Sequence, residues 1–460
     1  MQAIVKILYN YQITMEDIIK SKKFKPIILH IKKKSFDEAL KLLKVITPEE
    51  KELGVVYNLY ASIYAKKNQW ALAIDYYKKL LETEENKNNI YYLLNNIAYG
   101  QFFLGKINES IKYYTEATKI NSSSAHAYQN LGITYIELGK YELAINNLVI
   151  ALNLQETNIA KKYLIEIFNY YQPKNINSHN IIKINHEISE LDTKSFNKFP
   201  MDINKLKCFL KESQNKMDNL EKNLIFKETQ IFRKNNINLN CGRHFKIFNE
   251  FNIIPKYCFN CYKVQINLEN VVDLIKLFFI FNNFYLKKNN IRKCMIETRE
   301  SVKGNYKGYI YCNGTDEAKE VDENIREKIK NTEIIPKNIE IKHGCTEYYD
   351  SYPDYKSINF IDEQKMTYPE EWNLKEKLFD DRIPTRDKDD KKVFDQTLNK
   401  INLSDILIIK NWLIYAKIIG DDTYKKIFDD KLELNFLKEK LKNQINFRKK
   451  NIINFRSTLY

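Results

Sequence analysis

The sequence predicts a multidomain fold, an all-α helical solenoid at the N-terminus followed by a Cys-rich α/β domain and C-terminal helices. Three observations carry this expectation: a 34-residue period in the first third, six of the seven cysteines falling between 241 and 345, and apolar periodicity that switches between strand and helix spacing after Tyr262. The domain boundaries that follow are 1–171 for the repeats, 172–201 for a linker and 202–257 for a helix with a Cys/His segment. The α/β domain then takes 258–354, and a charged connection with helices takes 355–460.

The period is read directly. Leu94, Ile97, Ala98, Gly105, Ser110, Tyr114 and Ala117 recur as Leu131, Gly132, Gly139, Ala144, Leu148 and Ala151, with Tyr128 opening the second set. Gly54 starts an earlier unit, with Tyr57, Tyr60, Ala61, Tyr64, Trp70, Ala73 and Tyr77 at the packing positions. Its successor starts three residues late, so Thr83 to Asn89 should lengthen the connecting turn. Phe36, Ala39 and Leu43 mark a degenerate first unit, and 158–171 reads as a capping helix that covers the last apolar face.

Small residues at this spacing, with aromatic and aliphatic ones between them, resemble the tetratricopeptide repeat over residues 20–171. The Pro usual near the end of each repeat is missing. The resemblance implies antiparallel helix pairs, a concave groove and a peptide or protein partner. By that analogy the groove contacts are Asn58, Asn95, Asn96, Tyr99, Gln129 and Asn130. Their alternative role is that of solvated polar positions in an Asn-rich chain.

The chain has 460 residues, 44% hydrophobic and 29% charged, enough for two or three cores. A net charge of +15 favours an acidic partner, but the charge is spread and part of it follows an Asn-, Ile-, Tyr- and Lys-rich composition. The start lacks a secretory pattern, and the longest apolar run, Leu274 to Leu286, is interrupted and too short to span a bilayer. A cytoplasmic protein with no membrane contact is expected.

After the linker, Leu206, Phe209, Leu210, Met217 and Leu220 place a helix over 202–223, with Cys208 expected to be buried. Cys241-x2-His244, thirteen residues, then Cys258-x2-Cys261 has the two-plus-two spacing of a structural zinc site. Residues 262–345 parse as βαββαβ: a strand at 263–268, a helix at 270–284, a hairpin at 292–299 and 306–312, a helix at 315–330 and a strand at 339–343. This weakly resembles a ferredoxin-like module with sheet order 4-1-3-2. That topology brings Cys258, Cys261, Cys294, Cys312 and Cys345, with His343, to one sheet edge, and parity puts Cys294, Cys312, His343 and Cys345 on the helix-covered face. Zinc at the first set, an iron–sulfur cluster or metal at the second, or no metal with buried thiols are the open readings.

The third strand, Lys307-Gly308-Tyr309-Ile310-Tyr311-Cys312, resembles the RNP1 signature of RNA recognition motifs. The resemblance implies that Tyr309 and Tyr311 stack on unpaired bases while Lys263, Arg299, Lys307 and Lys342 meet phosphates. The first strand offers no outward aromatic, and a covered inter-domain face is the competing reading. For an enzyme, the best loop is HGCTEYYDSYPDYK, with His343 as base and Cys345 as nucleophile. No phosphate loop, HExxH or GxSxG is present, no small-molecule substrate is indicated, and a binding protein is expected before an enzyme. Toward the C-terminus, 355–392 reads as a solvated connection, Ser404 as the cap of a helix ending near Gly420, and 431–449 as a basic helix with a tail of Arg448, Lys449, Lys450 and Arg456.

Overall fold

The computed structural model describes residues 23–47, 53–83, 87–221, 224–234, 239–300, 302–355, 366–381 and 397–449. They form two compact units, one of the described residues up to 164 and one of those from 165 to 380 with 397–449. Residues 84–86 of the expected long turn, most of the charged connection, and Lys450 and Arg456 of the expected tail lie outside the described residues.

The first unit is a series of helix hairpins. They are α1 (Lys25–Lys32) with α2 (Phe36–Lys44), α3 (Leu53–Lys66) with α4 (Trp70–Thr83), α5 (Lys87–Phe103) with α6 (Ile107–Ile120), and α7 (Ala125–Glu137) with α8 (Tyr141–Leu154). Each first helix ends on a left-handed residue: Lys34, Asn68, Gly105 and Gly139, at intervals of 34, 37 and 34. The next amide reaches back in each case, Ser35 to His30 O, Gln69 to Tyr64 O, Lys106 to Gln101 O and Lys140 to Tyr135 O, at 2.9–3.1 Å. These bonds satisfy carbonyls that a helix end would otherwise leave unpaired. The interval of 37 is the three-residue delay read in the sequence.

Close helix contact explains the small residues. Ala61 and Ala98 are fully buried, and Ser110 Oγ donates to Ala98 O at 2.8 Å. A Cβ on Gly132 would stand 2.8 Å from Leu148 and 3.0 Å from the Ala144 carbonyl, so no side chain fits there. Between the helices Ala65, Ile74, Tyr77, Leu80, Leu93 and Ile97 form one apolar core. Helix α9 (Asn158–Ile167) follows and is shorter than expected.

The second unit is built on a five-stranded antiparallel sheet of β1 (Gln230–Arg233), β2 (Cys261–Leu268), β3 (Arg292–Ile296), β4 (Tyr306–Asn313) and β5 (Asn338–His343), in the order β1-β3-β4-β2-β5. Register runs from Cys261↔Asn313 to Leu268↔Tyr306 between β2 and β4. Tyr262, Val264 and Ile266 therefore share one face while Lys263, Gln265 and Asn267 share the other. Helices α13 (Val271–Asn283) and α14 (Thr315–Lys330) cover the first face. Nearly all of α13 is buried, as expected for a helix that is apolar all round. It lies close to the sheet because Gly308 offers no Cβ; one there would stand 2.4 Å from Leu277.

Several expectations are corrected. Residues 172–201 are not a linker: α10 (Asn180–Ser189) buries Ile181, Ile182, Ile184 and Ile188, a face masked in the sequence by neighbouring Asn and Lys. Helix α11 (Ile203–Glu221) buries the expected face, but Cys208 lies on its exposed side. Strand β1 was not expected; at four residues it is too short to show a pattern. Helix α12 (Cys241–Phe251) precedes β2, and α15 (Trp372–Asp380) packs on it. Helix α16 (Leu403–Ile419) is capped not by Ser404 but by Asn402, in a box with Asp405, and ends at Gly420 as expected. The basic helix is broken, α17 (Phe436–Lys440) being followed by a turn. Arg448 is fully buried there and donates to the carbonyls of Val302, Gly304 and Arg299, so it is a clamp on the β3–β4 loop. Among the described residues no helix is long and apolar enough to cross a membrane.

Candidate functional site

On the first helices of the repeats, Asn58 and Asn130 are half-buried, while Asn95, Asn96 and Gln129 are 2–3% exposed. Asn95 Nδ2 donates to Tyr91 O at 2.8 Å, and Gln129 Oε1 accepts from Thr157 Oγ1 at 2.6 Å. The other end of each amide is different. Asn95 Oδ1, Gln129 Nε2 and Asn130 Oδ1 are buried without a hydrogen-bond partner among the described residues. Tyr99 packs edge-on to Trp70 at 5.3 Å and against Phe103 at 4.8 Å.

In the second unit the cysteines divide. Cys241, His244, Cys258, Cys261 and Cys345 line one small cavity of about 10 Å³. Burial, with Arg243 adjacent, lowers the His244 pKa to about 4 and keeps its ring neutral; Tyr257 stacks on it at 5.5 Å. Burial pushes the Cys258 thiol up, and its Sγ lies 3.7 Å from the Tyr348 hydroxyl. Cys294 and Cys312 do not join them: both are buried on the helix-covered face, and the Cys312 thiol donates to Ile310 O. Among the described residues no group of three His, Cys, Asp or Glu side chains is arranged to hold a metal ion.

Cys345 is on the face opposite to the one expected. Gly344, at φ +50, breaks the strand alternation after His343, and Cys345 Sγ accepts from Lys263 Nζ at 3.3 Å on the uncovered face. His343 is fully buried, with Nδ1 3.1 Å from Tyr355 O and Nε2 2.9 Å from Phe259 O. The ring is wedged between two main-chain carbonyls, of which a neutral imidazole can bond only one. It is also shut off from solvent, where a base of an active loop would have to meet substrate.

The uncovered sheet face carries a cavity of about 580 Å³, lined in part by Tyr309, Tyr311, Lys263, Lys293 and Lys342. It is not an open stacking platform. Tyr309 is 6% exposed, and Lys293 Nζ lies 5.1 Å from its ring centroid and 5.9 Å from that of Tyr311. Lys307 is 2% exposed and pairs with the buried Glu297 at 3.0 Å, so no phosphate reaches it. Gly308 is there to admit Leu277, which accounts for the RNP1-like spelling by packing alone. Sequence reasoning missed Lys293 and Glu297. The available signal was that β2, β3 and β5 each carry one lysine among their outward positions, Lys263, Lys293 and Lys342.

The first unit is thus a helical-hairpin repeat protein, with a left-handed turn residue and a close-contact small residue in each unit. Residues 57–91, 91–124 and 125–158 match tetratricopeptide repeat family models, so this region is made of tetratricopeptide repeats. Such repeats make it a protein–protein interaction scaffold. Two solved structures are similar at 16% identity. "MamA AMB-1 P212121" is matched over 32% of this chain and 79% of that one, with TM-score 0.27. BtubC (BKLC) from P. vanneervenii is matched over 43% of this chain and 84% of that one, with TM-score 0.25. No curated protein sequence matches the chain.

Proposed function

We propose that the chain is an adaptor whose repeats hold an extended peptide segment of a protein partner along their first helices. One observation carries this reading: Asn95 Oδ1 and Gln129 Nε2, at the same place in successive repeats, and Asn130 Oδ1 are buried and unpaired among the described residues. A buried polar atom without a partner costs about 1–3 kcal/mol, and an extended backbone supplies both donors and acceptors to relieve it. Peptides selected from a random displayed library against the full-length protein supply the probe. The Asn95→Ala/Asn130→Ala variant, with an unchanged circular dichroism spectrum, should bind them at least tenfold more weakly. Equal binding by a folded variant overturns the reading.

The second unit, in this proposal, is a ferredoxin-like module that presents a further surface. Its support is the strand order, in which β5-β2-β4-β3 reads fourth, first, third, second. A structural zinc at Cys241, His244, Cys258 and Cys261 is a second reading, favoured by their lining one cavity. Ion entry would have to draw the four donors together, because they do not converge as they stand. About one zinc per chain by elemental analysis, lost together with stability on chelation, would support it; metal-free protein that stays folded would end it.

A further inference from the structure

The large cavity of the second unit has an unbalanced charge distribution. At one end Arg299 bonds Glu297 and Glu347, and Lys307, behind the lining, bonds Glu297. At the other end three lysines stand over two tyrosines. Lys263 and Lys342 are directly opposite across β2 and β5, and Lys263 is opposite Tyr311 across β2 and β4. Lys293 is opposite Tyr309 across β3 and β4, which puts all three ammonium groups on one rim. Neither Lys263 nor Lys293 has a carboxylate partner among the described residues. Lys263 donates to Cys345 Sγ, and Lys293 lies over the rings of Phe232, Tyr309 and Tyr311.

Like charges directly opposite in a sheet are destabilising, and half-buried ones are poorly screened by salt. Burial and the neighbouring Lys263 charge bring the pKa of Lys293 and of Lys342 down to about 8. Lys293 and Lys342 therefore stay mostly cationic at neutral pH.

We infer that the cavity binds a phosphorylated small molecule of about mononucleotide size, its phosphate lying among Lys263, Lys293 and Lys342. A phosphomonoester carries roughly −1.5 to −2 charges at pH 7, which suits three cations better than a carboxylate does. The volume is within the roughly 300–1,000 Å³ of small-molecule pockets and exceeds what a bare phosphate fills. Phe232 and Met295, also in the lining, give the rest of the molecule an apolar wall. An RNA strand is disfavoured because Lys293 already covers the tyrosine faces on which bases would stack. Seating the phosphate draws Lys263 away from Cys345.

The test uses the full-length protein with AMP, inorganic pyrophosphate and a uridine 12-mer as probes, by calorimetry at two salt concentrations. AMP should bind at one saturable site and raise the melting temperature. Lys293→Gln and Lys342→Gln should each weaken it at least tenfold while melting no lower than the parent without ligand, because the repulsion is relieved. Saturating AMP should also change alkylation of Cys345 at least threefold, read by peptide mapping, with the exposed Cys208 unchanged as the internal control. The inference is overturned if folded protein binds neither AMP nor pyrophosphate, if only the 12-mer binds, if both variants bind as the parent does, or if AMP leaves Cys345 labelling unaltered.

Discussion

Arg233 Nη2 meets Asp405 Oδ2 at 2.6 Å with both side chains almost wholly out of water, so the edge strand β1 is tied to the N-terminus of α16 by a buried ion pair. Arg233 Nε also donates to Asn282 Oδ1 at 2.7 Å, and Asp405 accepts from the Asn402 amide as part of the helix cap. One carboxylate thus serves a strand, a helix end and, through Arg233, the far end of α13.

Removing one member strands the other. Asp405→Ala should cost about 3–5 kcal/mol in urea unfolding, whereas a matched apolar replacement of both residues should recover much of it. A loss below about 1 kcal/mol in the single variant would show that the pair is solvated.

Gly308→Ala places a Cβ where Leu277 and Phe281 already stand. The expected cost is about 1–3 kcal/mol, from displacement of α13 off the sheet. Gly242→Ala is the control: a Cβ there meets nothing within 4 Å, and its stability should not fall.

Acid should release Glu297. Burial opposes its charge, but Arg299 and Lys307 hold its pKa down to about 2. A depressed carboxylate contributes stability that is complete above the unfolded pKa and is lost as pH falls, here between about 4.5 and 2. The contribution is roughly 3 kcal/mol at neutral pH. Glu297→Gln should be less stable at pH 7 and have a flatter stability profile below pH 4.5; a parallel profile would refute the assignment.

Lys34 is exposed and takes a left-handed backbone that Gly105 and Gly139 adopt freely. Lys34→Gly should raise the stability of the first hairpin by about 0.5–1 kcal/mol, read as slower amide exchange in α1 and α2.

The repeats were legible because a turn glycine and a contact alanine or glycine recur at fixed distance, and both are demanded by backbone geometry. The strands β2 to β5 were legible by alternation over five to eight residues. What escaped depended on partners distant in sequence or on a single dihedral. Nothing in the sequence pairs Arg233 with Asp405, and Arg448 reads as a basic tail until three carbonyls surround it. Cys345 changed face because of Gly344 alone. Gly308 was read as a ligand motif when its role is helix clearance, since spacing cannot distinguish an approach by RNA from an approach by Leu277.

The turns at Ser35, Gln69, Lys106 and Lys140 close with the same bond whatever the residue before them. They behave as identical couplings, and a segment running from one to the next is an interchangeable part. A second copy of 106–139 spliced in after Gly139 should therefore add one more hairpin without redesign of either joint, so the number of units in this protein is open to change by insertion rather than fixed by its core.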